Sequence, residues 1–191
     1  HQFRRAQDAS RFTDREVRRT SYWSVFAGGA GITYGCYSLW QMRRPEDDAQ
    51  AIPESAASTY QGDTIPYWFD VLNYPGAFNI GTLRRFIESL PDWWAREPDQ
   101  SLLLSHNPTD EKHCRAMRDL HRRWIAVYIP EQQNLVVNVE DFAETGFEIG
   151  WFDPRYGVMN WVSNDISETF FLSIDPPQTG SDWVLVLRKK S

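Results

Sequence analysis

Thr13-Asp14-Arg15-Glu16-Val17-Arg18-Arg19-Thr20-Ser21-Tyr22-Trp23-Ser24-Val25-Phe26-Ala27-Gly28-Gly29-Ala30-Gly31-Ile32-Thr33-Tyr34-Gly35-Cys36 reads as a helix followed by a strand. Thr13 and Glu16 have capping-box spacing, in which each side chain satisfies a free backbone N–H at the helix start. Val17, Ser21, Ser24 and Val25 follow at helical intervals, with Trp23 and Phe26 beside them, and Gly28-Gly29 ends the run. Ala30–Cys36 is short, small or apolar, and bounded by glycine. It predicts a strand buried on both faces, as in a parallel sheet.

Outward from this stretch the two halves differ. Residues 1–98 hold 11 Arg, no Lys and 12 acids, a net of −1, whereas residues 99–191 hold 9 basic and 14 acidic residues, a net of −5. The first half continues with a polar stretch over 43–66, a length that marks a functional or mobile loop. A helical region is predicted from Pro66, interrupted at Tyr74-Pro75-Gly76. Leu83, Phe86, Ile87 and Leu90 then form an apolar stripe. The second half predicts strands at Ser101–Leu104, Trp124–Ile129, Leu135–Val139, Phe147–Phe152, Thr169–Ile174 and Trp183–Leu187. Lys112–Leu120 fits helix or strand. Asp153-Pro154-Arg155-Tyr156-Gly157 predicts a turn, the Asp153 side chain bonding backbone N–H groups. Strands at this spacing predict an antiparallel sandwich.

The chain has 191 residues, 41% hydrophobic and 15% aromatic, with a net charge of −6. Those values fit a folded chain of one domain or two small ones. The negative charge argues against nucleic acid, whose phosphates need a basic face. No apolar run approaches the roughly 20 residues of a membrane helix. Cys36 and Cys114 make neither a disulfide framework nor a zinc site.

The order of motifs resembles a known family. Val17-Arg18-Arg19 with Tyr22-Trp23, then Ala27-Gly28-Gly29-Ala30-Gly31, Thr33-Tyr34-Gly35 and Leu39-Trp40, is similar to the last part of the apiosidase-like (β/α)8 glycoside hydrolases. Pro75-Gly76-Ala77, Leu83-Arg84 and Pro98-Asp99-Gln100 also match. Ala126-Val127-Tyr128-Ile129-Pro130, Trp151-Phe152-Asp153-Pro154-Arg155 with Gly157, Pro176-Pro177 and Asp182–Leu187 resemble the β-sandwich that trails such barrels and is labelled collagen-binding. No residue here argues for that label. Where the family commonly has His before Thr-Tyr-Gly, this chain has Ile32.

The expected fold class is therefore α/β plus all-β. Residues 1–98 are the truncated end of a (β/α)8 barrel, and residues 99–191 an antiparallel β-sandwich. A complete barrel takes about 250 residues, so a missing N-terminal barrel segment is expected as a partner. The family's catalytic carboxylates would lie on earlier strands. Asp14 and Glu16 fall in a helix start and Glu46, Asp47 and Asp48 in the loop, so no catalytic residue is assigned.

A barrel's active site lies at the C-terminal ends of its strands, and Tyr34, Tyr37 and Trp40 follow the predicted strand. They are the candidate contacts to polysaccharide or oligosaccharide, with loop packing as the alternative. Arg18 and Arg19 read as solvated helix charges pairing with nearby acids, with an acidic sugar as the alternative. Glu46-Asp47-Asp48 reads as a charged loop, since calcium-loop spacing is absent. His106, His113, Cys114 and His121 match no zinc pattern, and neither metal nor cofactor is expected. Trp151, Trp161 and Trp183 read first as sandwich core, with a carbohydrate platform as the alternative. Arg188-Lys189-Lys190 reads as a solvated tail. The resemblance implies a secreted protein acting on plant or cell-wall polysaccharide. The competing reading is a non-catalytic module that binds carbohydrate or matrix protein.

Overall fold

The computed structural model describes residues 12–49, 65–162 and 169–189. It is a small mixed α/β chain with antiparallel sheets. The helices are α1 (Asp14–Phe26), α2 (Tyr37–Gln41) and α3 (Pro75–Ser89). The strands are β1 (Arg96–Pro98), β2 (Arg115–Asp119), β3 (Trp124–Ile129), β4 (Leu135–Asn138), β5 (Phe147–Asp153), β6 (Val158–Trp161), β7 (Phe171–Ile174) and β8 (Trp183–Lys189). The described residues fall into two compact units. The first comprises 12–20, 33–49 and 65–81, and the second 21–32, 82–162 and 169–189.

In the first unit α1 begins as its sequence predicts. The Thr13 N–H donates to Glu16 Oε2 at 2.8 Å and the Thr13 hydroxyl to the same oxygen at 2.5 Å. Thr13 Oγ1 accepts from Arg15 N–H at 3.3 Å, one residue earlier than a full capping box requires. Arg18 and Arg19 are not solvated: they are 3% and 6% exposed. Arg18 is paired at 3.2 Å with Asp14, one turn earlier. A long Arg can bury its stem while a carboxylate holds its head.

The predicted strand at Ala30–Cys36 does not form. The segment from Gly31 to Cys36 has no regular structure, and Ala30, Gly31 and Thr33 are exposed. A strand buried on both faces needs a neighbour on each edge, and no described segment pairs with this one. Pro75-Gly76 does not interrupt a helix but opens one, because proline at the first helical position loses no hydrogen bond. Residues 68–73 before it are turns. Part of the long polar stretch, 50–64, lies outside the described residues.

The second unit holds the larger cores. The end of α1 is a Schellman closure: Gly28 N–H bonds Val25 O at 3.1 Å and Gly29 N–H bonds Ser24 O at 2.9 Å, with Gly28 at φ +95°. A six-stranded sheet runs β1-β2-β3-β8-β5-β6, and a two-stranded sheet pairs β4 with β7. Every described strand pair is antiparallel. One face of the large sheet presents Ile125, Val127, Ile129, Leu185 and Leu187 to a core shared with Leu135 and Val137 of β4 and with Leu172 and Ile174 of β7. The opposite face presents Trp124, Ala126, Tyr128, Val184 and Val186 to Tyr22, Val25 and Phe26 of α1 and to Leu83, Phe86, Ile87 and Leu90 of α3. The alternation is the period of two of a pleated strand. Because both faces are covered, β3 reads as an unbroken apolar run.

Other elements depart from expectation. Gln100–Leu102 is a 3-10 turn, and Leu103 makes only an isolated bridge to Val137. Lys112–Leu120 resolves as β2, whose buried positions include Ala116 and Met117. β1 and β6 were not among the predicted strands, and both lie on sheet edges. Arg188 and Lys189 belong to β8 rather than to a tail.

Candidate functional site

Tyr34, Tyr37 and Trp40 lie on one short segment of the first unit, each in its own surroundings. Cys36, extended at φ −131° and ψ 131°, leads into α2, and Met42 ends it in the left-handed region at φ 48°. That single tight turn brings Trp40 back over Gly35. A Cβ at Gly35 would stand 2.7 Å from Trp40 Cζ2 and 3.2 Å from its Nε1. Glycine therefore permits the close approach, while Trp40 stays 61% exposed. Tyr37 packs on buried Ile65. Tyr34 is half-buried and rests beside Gly76, where a Cβ would meet its ring at 3.3 Å. Burial above all, then Cys36 and Tyr74, pushes the Tyr34 phenol above its ordinary range. Of the three, Trp40 is the most exposed.

A second cluster in this unit joins residues that sequence spacing keeps apart. Arg43 Nη2 donates to Asp48 Oδ1 at 2.7 Å, and the Tyr67 hydroxyl donates to Asp48 Oδ2 at 2.8 Å. The Arg43 guanidinium lies 5.3 Å from the Tyr67 ring centroid, and Trp68 N–H donates to Arg43 O at 2.9 Å. The hydrogen bond to Asp48 is the main cause of a raised Tyr67 phenol. Arg43 and Asp48 stood out in the sequence only as part of a charged loop. Nothing there pointed to Tyr67, nineteen residues after Asp48.

The described carboxylates of this unit hold turns and helix starts. Glu16 takes up Thr13, Asp14 pairs with Arg18, Asp47 accepts the Arg44 N–H at 2.8 Å, and Asp70 accepts the Tyr67 N–H at 3.2 Å. No group of three or more His, Cys, Asp or Glu among the described residues has the arrangement of a metal site. No described helix is long and apolar enough to cross a membrane.

In the second unit the tryptophans separate. Trp151 and Trp183 are each 5% exposed and meet edge to face at 6.3 Å in the core. Trp161 is 41% exposed and is not core, because β6 is the last strand of its sheet. The Asp153 turn forms as predicted. Its carboxylate accepts the Arg155 N–H at 2.9 Å and grips the Arg155 guanidinium, which lies 5.1 Å from the Trp183 ring centroid. Cys114 is buried, and burial pushes its thiol up to about 12.

Two family models match the chain in succession. Residues 1–95 match "Apiosidase-like, catalytic domain", and residues 98–188 match "Putative collagen-binding domain of a collagenase". No curated protein matches. Among solved structures, a glycoside hydrolase superposes with a TM-score of 0.81 at 23% identity over 99% of this chain. A glycoside hydrolase family 5 protein from Bacteroides vulgatus superposes with a TM-score of 0.78 at 23% identity over 96%. The chain spans only 40% and 38% of the length of these two. The first half of the chain is thus similar to the apiosidase-like catalytic domain, and the second half to that collagen-binding domain.

Proposed function

We propose that this chain is the C-terminal part of a glycoside hydrolase acting on plant or cell-wall polysaccharide, without the catalytic carboxylates of its own. In this reading residues 1–98 complete a (β/α)8 barrel and residues 99–191 form the β-sandwich behind it. Tyr34, Tyr37 and Trp40 line the sugar site, and the partner is an N-terminal barrel segment. One observation carries the reading. The part matched by a catalytic-domain family leaves Trp40, Met42, Phe69, Leu72 and Phe78 exposed, each by 44% or more. Soluble chains rarely leave large apolar groups uncovered in such number, and a barrel wall needs them against neighbouring strands and helices. The unpaired segment at Gly31–Cys36 fits the same reading, as a barrel strand that lacks its neighbours. A retaining hydrolase needs two carboxylates about 5–5.5 Å apart, and the described acids of the first unit are engaged elsewhere.

The test is the intact mass and the turnover of the native gene product. A product well above 22.3 kDa, hydrolysing plant polysaccharide where the 191-residue chain alone does not, is the expected result. A native product of that mass, or turnover by the chain alone, overturns it.

A further inference from the structure

We infer that a groove on the second unit binds a single sugar residue of a polysaccharide chain, through Trp161 and the Arg188–Glu148 pair. The groove has a volume of about 260 Å³ and is lined from β3, β6 and β8 and from residues 89–91. Its lining includes Pro91, the buried Trp124 and Val186. Trp161, Met159 and Arg188 line it as well.

The indole is held in place rather than loosely exposed. Trp161 stands opposite Gly150 in the β5–β6 register, and a Cβ at Gly150 would come within 2.9 Å of its Cε3 and Cζ3. The Arg188 guanidinium lies 4.3 Å from the ring centroid. A ring fixed in this way loses little freedom on binding. Arg188 Nη2 also donates to Glu148 Oε2 at 2.6 Å. The remaining guanidinium N–H groups and the second carboxylate oxygen make no other hydrogen bond among the described residues.

Arg188 lines the groove and Glu148 is its partner, so a donor stands beside an acceptor. A sugar has the matching chemistry: an apolar C–H face for the indole and Met159, and neighbouring hydroxyls that both donate and accept. A proline-rich peptide offers carbonyl acceptors for Arg188 but no donor for Glu148. Nucleic acid is disfavoured by a chain of net charge −6. The choice of a sugar rests on the carbohydrate reading above. The site itself is separate from Tyr34, Tyr37 and Trp40.

Affinity electrophoresis of the 191-residue chain through gels containing arabinoxylan or citrus pectin tests the inference. Retardation is expected in at least one gel. Trp161→Ala should weaken it about ten-fold or more, as removal of a central aromatic anchor does. Arg188→Met should weaken it several-fold, while Trp161→Phe retains most of it. Far-UV circular dichroism must show each variant folded. Retardation unchanged in Trp161→Ala, no retardation of the parent chain, or competition by a proline-rich peptide overturns the inference. A native hydrolase whose 191-residue part is not retarded leaves the proposed function standing and removes the groove. Retardation that depends on Trp161 in an inactive native product of 22.3 kDa does the reverse.

Discussion

Two uncharged segments end in opposite states. Trp124–Ile129 and Ala30–Cys36 are both short runs without charge, and both read as strands. The first is β3, paired with β2 and β8, and each of its residues is buried. The second has no partner strand among the described residues, and Ala30, Gly31 and Thr33 are exposed. Strand propensity is a preference for a pleated, half-buried surface. Where that surface is supplied the preference is realised; where it is not, a glycine-bounded run stays irregular.

Substitutions can break or sharpen this contrast. The largest effect should come from Trp124→Ala. Trp124 is fully buried and its indole N–H donates to Pro91 O at 2.8 Å, so truncation should cost about 3–5 kcal/mol in urea unfolding. A cost near zero would mean that the α-facing core contributes little and would remove the contrast. Gly28→Ala comes next. It forces a Cβ into φ +95° against Pro98 at 3.3 Å and should cost about 1–2 kcal/mol, read from the unfolding midpoint.

The two cysteines compare the units directly. Cys36 sits in the first unit, whose described apolar cluster is small, and Cys114 in the larger core of the second. At pH 8 iodoacetamide should modify Cys36 about ten-fold faster, which corresponds to about 1.4 kcal/mol of easier local opening. Equal rates would show the two units opening together. The Cys114 thiol is raised to about 12. A raised acid favours the folded state while the unfolded thiol stays protonated. Its contribution is therefore intact below the ordinary thiol range and falls as pH rises through that range toward 12. Cys114→Ser should flatten this alkaline loss in a pH series of unfolding curves. The smallest stability effect should be Thr13→Ala, about 1 kcal/mol or less for an exposed helix start.

The site was only partly legible. Trp40 could be picked out as an aromatic after a glycine-bounded run, but its approach to Gly35 needs the turn of α2, which spacing does not reveal. Trp161 looked like Trp151 and Trp183 in the sequence. All three are tryptophans in or beside apolar strands, and only the place of β6 at a sheet edge separates them. Arg188 looked like the start of a charged tail, because pairing with Glu148 depends on the β5–β8 register.

Local chemistry was enough for the ends of α1, the Asp153 turn and the strands β3, β4, β5, β7 and β8. Caps, turns and period-two patterns act within a few residues, so adjacent residue types determine them. Tertiary structure decided which apolar runs became strands, which arginines were buried and which tryptophan stayed open. Those outcomes depend on neighbours far away in the chain, and the free energy of covering a surface belongs to the pair that meets, not to either segment alone.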